Sequence, residues 1–219
     1  MKKHILITRP LHDIPTSYLH FISGELKQEI NSVGEYTVVD LERENAVREK
    51  FEKAIDSMNP RLIILHGHGT YDSIAGQNYE IILDKENVAK LESKIIYAVV
   101  CDSSQELGDF AIEKGKAEAY IGYEANYMVV IDPERSTTPQ KDKNFLPFKQ
   151  AYTTFVLSLL SGFKIFECME RTKRQIRDLI REYGVRGIKD KYGDASLIRF
   201  ALYWNLFFFK AHGKLEATL

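Results

Sequence analysis

The chain alternates short apolar runs with longer segments whose apolar residues recur every three or four positions. Five apolar runs predict β-strands at 4–8, 35–41, 61–65, 94–100 and 119–122, with a possible short extra strand at 79–83. Amphipathic segments at 15–31, 46–58 and 105–115 predict helices between these strands, and 88–91 predicts a brief one. Strands that alternate with helices are typical of a parallel sheet covered on both faces.

The pattern changes after Tyr123. Residues 132–143 are polar, contain two prolines and predict a loop. Helical periodicity then returns at 147–160, 163–183 and 194–210. We therefore predict one domain over residues 1–219, an α/β protein built as a three-layer α/β/α sandwich. Its mostly parallel sheet of about five to six strands lies in 1–130, and its helical C-terminal part is 144–219.

Composition narrows the range of partners and compartments. The chain has 219 residues, of which 44% are hydrophobic and 28% charged, and its net charge of −1 favours neither nucleic acid nor an anionic membrane. Two cysteines without a close pair suit a reducing compartment. The segment from Met1 to His4 has no secretory signal pattern, and the longest apolar stretch, 197–209, is too short to span a bilayer. These features predict a cytoplasmic protein.

Two stretches that follow predicted strands carry the candidate chemistry. They are Leu65-His66-Gly67-His68-Gly69-Thr70 and Val99-Val100-Cys101-Asp102-Ser103, with Cys101 33 positions after His68. Because the carboxyl ends of parallel strands meet at one edge of the sheet, we expect His68 and Cys101 to lie within reach of each other. A thiol and an imidazole are the minimum apparatus for a nucleophile and its base.

Several residues in these stretches have a predicted role. A free cysteine has a pKa of about 8.5, so Cys101 needs His68 to take its proton. The backbone N–H groups of Gly69 and Cys101 would hold the oxyanion. The neighbours His66, Gly67, Asp102 and Ser103 are predicted to support the site. The dipole of the following helix would favour the thiolate, whereas the carboxylate of Asp102 would oppose it. Cys168 lies in a helical pattern and is assigned to the core.

The two strands resemble those of the caspase-like superfamily of cysteine peptidases, clan CD. In that superfamily one aliphatic strand ends in His-Gly and a second ends in Cys, as do 62–69 and 95–101 here. The downstream segments 101–108, 111–115 and 120–123 are most similar to bacterial CHAT domains, although Val100 stands where many members have a smaller residue. The resemblance spans roughly residues 1–185. It implies a cysteine endopeptidase that cleaves a protein or peptide substrate, needs no metal or other cofactor, and is regulated by a partner or signal.

Three other functions stay open. A caspase-like module without turnover could act only through protein contacts. A metal-dependent hydrolase could use His66 and His68, an H-x-H pair, together with Asp72. A nucleotide-binding protein is the weakest, because Thr8-Arg9-Pro10-Leu11 stands where a glycine-rich phosphate loop would follow the first strand.

Overall fold

The computed structural model describes residues 3–219; Met1 and Lys2, which begin the predicted N-terminal segment, lie outside the described residues. Residues 3–219 form a mixed α/β fold with six α-helices. The strands are β1 (Lys3–Arg9), β2 (Tyr36–Glu42), β3 (Leu62–His66), β4 (His68–Gly69), β5 (Ile74–Ala75), β6 (Ile81–Leu83), β7 (Ile95–Val99), β8 (Ala119–Tyr123) and β9 (Phe209–Gly213). The helices are α1 (Ile14–Val33), α2 (Arg48–Met58), α3 (Glu106–Glu113), α4 (Leu146–Leu160), α5 (Ile165–Lys189) and α6 (Ala195–Phe208).

The main sheet has six strands in the order β2-β1-β3-β7-β8-β9, and the successive pairs from β2 to β8 are parallel. Every residue of β3, β7 and β8 is buried, which explains why these strands appear in the sequence as continuous apolar runs. The strand β2 lies at the edge and is only partly buried. The predicted mostly parallel sheet of five to six strands is confirmed.

Helices cover both faces of this sheet. The chain moves from β1 to β2 in one direction and from β2 to β3 in the other, so right-handed crossovers place α1 and α2 on opposite faces. One core cluster joins side chains of α2 and α3, such as Phe51 and Leu107, to Ile63, Leu65 and Ile96 of the central strands. The predicted three-layer α/β/α arrangement is therefore confirmed.

The sixth strand, β9, was not predicted. The sequence analysis extended the last helix to Lys210, whereas α6 ends at Phe208 and the chain continues directly as the strand Phe209–Gly213. No glycine or proline marks this change from helix to strand, and the strand itself has a single buried residue, Phe209. A short, mostly exposed strand gives little apolar periodicity, so the helical pattern before it dominates.

Contacts divide the chain into two compact units. The first extends to Tyr127 and includes Lys210–Ala217 and Leu219, and it contains β1 to β8 and most of β9. The second is Met128–Phe209 with Thr218, in which α5 packs against both α4 and α6. The predicted loop at 132–143 holds two single-turn 3-10 helices, Pro133–Arg135 and Pro139–Lys141. No helix within residues 3–219 combines the length and apolar character needed to cross a membrane.

Candidate active site

The register of the two central strands places the predicted His and Cys at the same level. β3 and β7 pair in parallel with His66 opposite Val99. His68 and Cys101 each come two residues after that pair. Both therefore leave the sheet together at its carboxyl edge, where parallel sheets hold their functional groups.

Gly69 brings the two motifs into direct contact. A Cβ built on Gly69 would lie 2.1 Å from the carbonyl oxygen of Cys101 and 2.8 Å from Cγ2 of Val100. The preceding Gly67 has φ +143°, and a Cβ there would lie 2.0 Å from the carbonyl oxygen of Ala75. Only glycine fits at either position, so the Gly-His-Gly sequence allows the histidine loop to pack against the cysteine loop.

The backbone N–H of Gly69 points away from its neighbouring strand. β4 and β5 form an antiparallel pair in which Gly69 faces Ile74. In the next pair along, Thr70 N donates to Ser73 O over 2.9 Å. Because hydrogen-bonded and non-hydrogen-bonded pairs alternate in antiparallel ladders, the Gly69–Ile74 pair is a non-hydrogen-bonded one. The Gly69 N–H is therefore left to other acceptors, as an oxyanion donor requires.

The imidazole of His68 is held by a carboxylate that the sequence analysis did not identify. His68 Nε2 lies 2.6 Å from Asp13 Oδ2. Asp13 follows β1, the other neighbour of β3, and it caps the N-terminus of α1. Its Oδ1 accepts hydrogen bonds from the backbone N and the hydroxyl of Thr16, at 2.9 and 2.7 Å. One oxygen of the carboxylate thus caps the helix while the other faces His68.

Asp13 is ionised at neutral pH. Burial raises its pKa, but the hydrogen bonds from Thr16 and His68 outweigh that effect and bring the pKa to about 2. An ionised carboxylate can only accept hydrogen bonds, so His68 Nε2 carries the proton that it shares with Asp13. In neutral His68 the lone pair is then on Nδ1.

Two further rings pack around His68. The ring of Tyr79 stacks on it with centroids 4.9 Å apart, and the Tyr79 hydroxyl donates to Asp13 Oδ2 at 3.1 Å. The ring of His12 lies 4.7 Å from that of Tyr79 and 5.6 Å from that of His68. Asn78 and Tyr79 both have positive φ values, 52° and 62°, which residues other than glycine rarely adopt. This strained turn places the tyrosine ring over His68.

The thiol of Cys101 is half-buried and protonated at neutral pH. Burial raises its pKa above the ordinary value, the nearby carboxylate of Asp102 adds to that rise, and a hydrogen bond from the Tyr127 backbone partly opposes it. The expected stabilisation of the thiolate by a helix dipole does not dominate, because α3 begins only at Glu106 and the dipole acts within about one turn. A base would therefore have to take its proton before this thiol could act as a nucleophile.

His66 has a structural role that is separate from His68. It is fully buried at the end of β3, and its Nδ1 lies 2.7 Å from the carbonyl oxygen of Thr8 in β1. Burial lowers the pKa of His66 to about 4, so the ring is neutral and donates to that carbonyl. Asp72 instead accepts a hydrogen bond from the Thr70 hydroxyl at the surface. The placement of these side chains does not support the alternative metal site of His66, His68 and Asp72.

The residues after Cys101 form a tight turn. Asp102 has φ +57° and its backbone N donates to Ala125 O at 3.2 Å. Ser103 is fully buried, and its carbonyl accepts from Gly108 N at 3.0 Å. These contacts fix the path of the chain from Cys101 into α3, and they leave the side chain of Ser103 without access to a substrate.

A serine–histidine–aspartate chain lies nearby but does not present a nucleophile. Ser104 Oγ is 3.0 Å from His212 Nε2, and His212 Nδ1 is 2.7 Å from Asp109 Oδ1. Ser104 is fully buried, so no substrate can reach its hydroxyl. These side-chain contacts instead link β9 to α3 and to the turn after Cys101.

Three residues of the site, Asp13, His12 and Tyr79, were missed by the sequence analysis. Asp13 had a usable signal, because an aspartate two residues before Pro15, at the start of a predicted helix, is typical of an N-cap. Its position after the first strand would also have placed it at the same sheet edge. His12 and Tyr79 had no such signal, since their positions depend on loop conformation.

Comparison with known proteins identifies the fold. No protein-family model matches the sequence, and no curated protein matches it. Among solved structures, the Arg-specific cysteine proteinase gingipain R (RGPB) is similar, with a TM-score of 0.51 and 13% sequence identity. The fold is caspase-like. The match covers 99% of this chain and 47% of the gingipain chain, so the chain spans about half the length of that structure. At this identity the caspase-like similarity concerns the fold alone.

Proposed function

We propose that the protein is a cysteine endopeptidase in which Cys101 is the nucleophile, His68 its general base and Asp13 the residue that positions His68. One observation carries this proposal. His68 and Cys101 leave neighbouring parallel strands two residues after the same strand pair, and Gly69 packs on the Cys101 backbone. The contact between His68 and ionised Asp13 supports these roles, and the raised pKa of Cys101 means that attack would depend on that base.

The proposed reaction uses the tautomer that Asp13 selects. His68 Nδ1 takes the thiol proton as Cys101 Sγ attacks the scissile carbonyl carbon, and Asp13 stabilises the resulting imidazolium. The N–H groups of Gly69 and Cys101 donate to the oxyanion. The imidazolium then protonates the leaving amine, leaving a thioester on Cys101. A water molecule, deprotonated by His68, hydrolyses the thioester and restores the thiol.

The setting of this activity is part of the same proposal. Both Cys101 and Cys168 are free thiols, which supports a reducing compartment such as the cytoplasm. The segment 101–108 supports placing the protein nearest to CHAT-type domains. The proposed substrate is a protein or peptide, and a regulatory protein partner or signal controls its cleavage.

A peptide library tests the proposal. The full chain is incubated with a proteome-derived peptide library, and new peptide ends are identified by mass spectrometry. Acid quenching should trap an acyl group on Cys101 and none on Cys168, which is fully buried and whose pKa burial raises to about 12. Cleavage that persists after Cys101 has been completely alkylated would contradict the proposal. If no peptide is cut and no acyl group is trapped on Cys101, also after a cell extract has been added as a source of the regulatory partner, the protein is instead a caspase-like module without turnover.

Asp13→Asn separates the two roles of Asp13. Asparagine caps helices as well as aspartate does, so α1 should keep its cap through Oδ1 and the melting temperature should change little. The side chain no longer offers a carboxylate to His68. The proton of neutral His68 is then no longer fixed on Nε2, and the imidazolium is no longer stabilised, so we expect cleavage to slow by at least about tenfold. Cleavage rate and melting temperature are measured together, with Ser17→Ala, in the same helical turn, as the control. An unchanged rate in Asp13→Asn would remove Asp13 from the mechanism.

A further inference from the structure

His12 is a buried imidazole without hydrogen-bond partners. Its side chain is only 7% exposed, and neither Nδ1 nor Nε2 forms a hydrogen bond. Buried polar groups are nearly always satisfied, so a group in this state calls for an explanation such as an ion. The ring places its Nε2 3.7 Å from Asp13 Oδ2.

Asp13 Oδ2 lies between two imidazoles. It is 2.6 Å from His68 Nε2, and one ligand atom from each of His12, Asp13 and His68 lies within 4.8 Å of the others. Within residues 3–219, these three form the only group of three or more His, Cys, Asp or Glu side chains that meets this condition. The helix cap holds Oδ1 in place, so the carboxylate presents Oδ2 in a fixed direction.

We propose that His12, Asp13 and His68 form a binding site for a divalent transition-metal ion, with Zn²⁺ the best match. Two imidazole nitrogens and one carboxylate oxygen are a typical zinc ligand set, whereas Ca²⁺ and Mg²⁺ prefer oxygen ligands alone. Ligand atoms about 2.0–2.1 Å from a tetrahedral zinc ion lie about 3.3 Å from each other. The separations of 3.7 and 2.6 Å from Asp13 Oδ2 bracket that value. The two imidazole ligand atoms lie no more than 4.8 Å apart, so shifts of at most about 1.5 Å bring all three ligand atoms to zinc distances.

The metal site has a consequence for His68 that rests on the proposed function. To bind the ion, Nε2 must give up the proton that it shares with Asp13, and neutral His68 then carries its proton on Nδ1. The lone pair that would accept the proton of Cys101 is thereby lost, and so is the hydrogen bond to Asp13. The metal ion therefore inhibits cleavage without contacting Cys101.

Binding is tested on the full chain without reference to activity. Zn²⁺ is titrated by calorimetry, and Co²⁺ is followed by its visible absorption, for wild type, His12→Phe, His4→Phe and Cys101→Ala. His12→Phe keeps a ring against Tyr79 and His68 but removes both nitrogens, and we expect it to weaken Zn²⁺ binding by about 10–100-fold or more. His4, at the opposite end of β1, is the matched control and should leave binding unchanged. Cys101→Ala should bind as wild type does.

The outcomes are distinct. The metal site is overturned if wild type binds no Zn²⁺, or if His12→Phe binds it equally well. It is also overturned if Cys101→Ala loses binding, since the thiolate would then be a ligand. Inhibition is measured as the ratio of cleavage rates with and without Zn²⁺, each variant against its own chelator-treated rate. Zn²⁺ that binds but leaves the wild-type rate unchanged would refute the inhibition alone. If wild type cuts no peptide even with the cell extract added, the proposed function fails while calorimetry still decides the site.

Discussion

Cys101→Ala is expected to abolish peptide cleavage. The variant has no atom that can form the thioester, so the only remaining rate enhancement comes from substrate binding and the oxyanion donors. Cys101 is half-buried and its Sγ is small, so its removal should change the melting temperature by only a few degrees. Cleavage is measured with the peptide library, and folding is followed by thermal unfolding and circular dichroism.

Cys168→Ala is the matched control for this experiment. Cys168 lies fully buried in α5, where its Sγ is 3.6 Å from the carbonyl oxygen of Phe163. Its loss leaves a small cavity and should lower stability while leaving cleavage per folded molecule unchanged. If Cys101→Ala cleaves as fast as wild type, Cys101 is not the nucleophile.

Gly69→Ala is expected to lower the free energy of unfolding and to slow cleavage. The added methyl group would lie 2.1 Å from the carbonyl oxygen of Cys101, and its next neighbour is the β-branched Val100, so no flexible side-chain end can move aside. The two loops must separate. We expect the free energy of unfolding to fall by about 3 kcal/mol, at the upper end for overpacking, which lowers the melting temperature by roughly 6–12 °C.

The same displacement would move the Gly69 N–H away from the position proposed for the oxyanion. Loss of one such donor typically slows the reaction by about 10²–10³-fold. Gly193→Ala is the control, because a methyl group there meets no atom within 4 Å and the residue does not have a positive φ. A variant at Gly69 that melts and cleaves as wild type does would show that the close packing of the two loops is unimportant.

The parts of this site that could be predicted are those determined by the sheet. The apolar runs of β3 and β7 are continuous because both strands are buried on both faces, and such runs are conspicuous in a sequence. Once they are recognised as neighbouring parallel strands, His68 and Cys101 must emerge at the same edge. The sequence was therefore sufficient for the fold class and for bringing the two motifs together.

The parts that could not be predicted depend on loop conformation. His12 and Tyr79 reach His68 only because the chain after β1 turns into α1 and because Asn78 and Tyr79 adopt positive φ values. No apolar periodicity encodes these backbone angles. The size of the rise in the pKa of Cys101 was likewise inaccessible, because burial is its main cause.

The two oxygens of the Asp13 carboxylate have different partners, and this links the start of α1 to the orientation of His68. One oxygen ends the first turn of α1 and the other orients His68, so unwinding that turn also releases the imidazole. Fraying at the start of this helix is then coupled energetically to the competence of the proposed reaction centre. A molecule that merely loosens or tightens residues 13–16 from outside would thus tune the proposed cleavage without contacting Cys101 or His68.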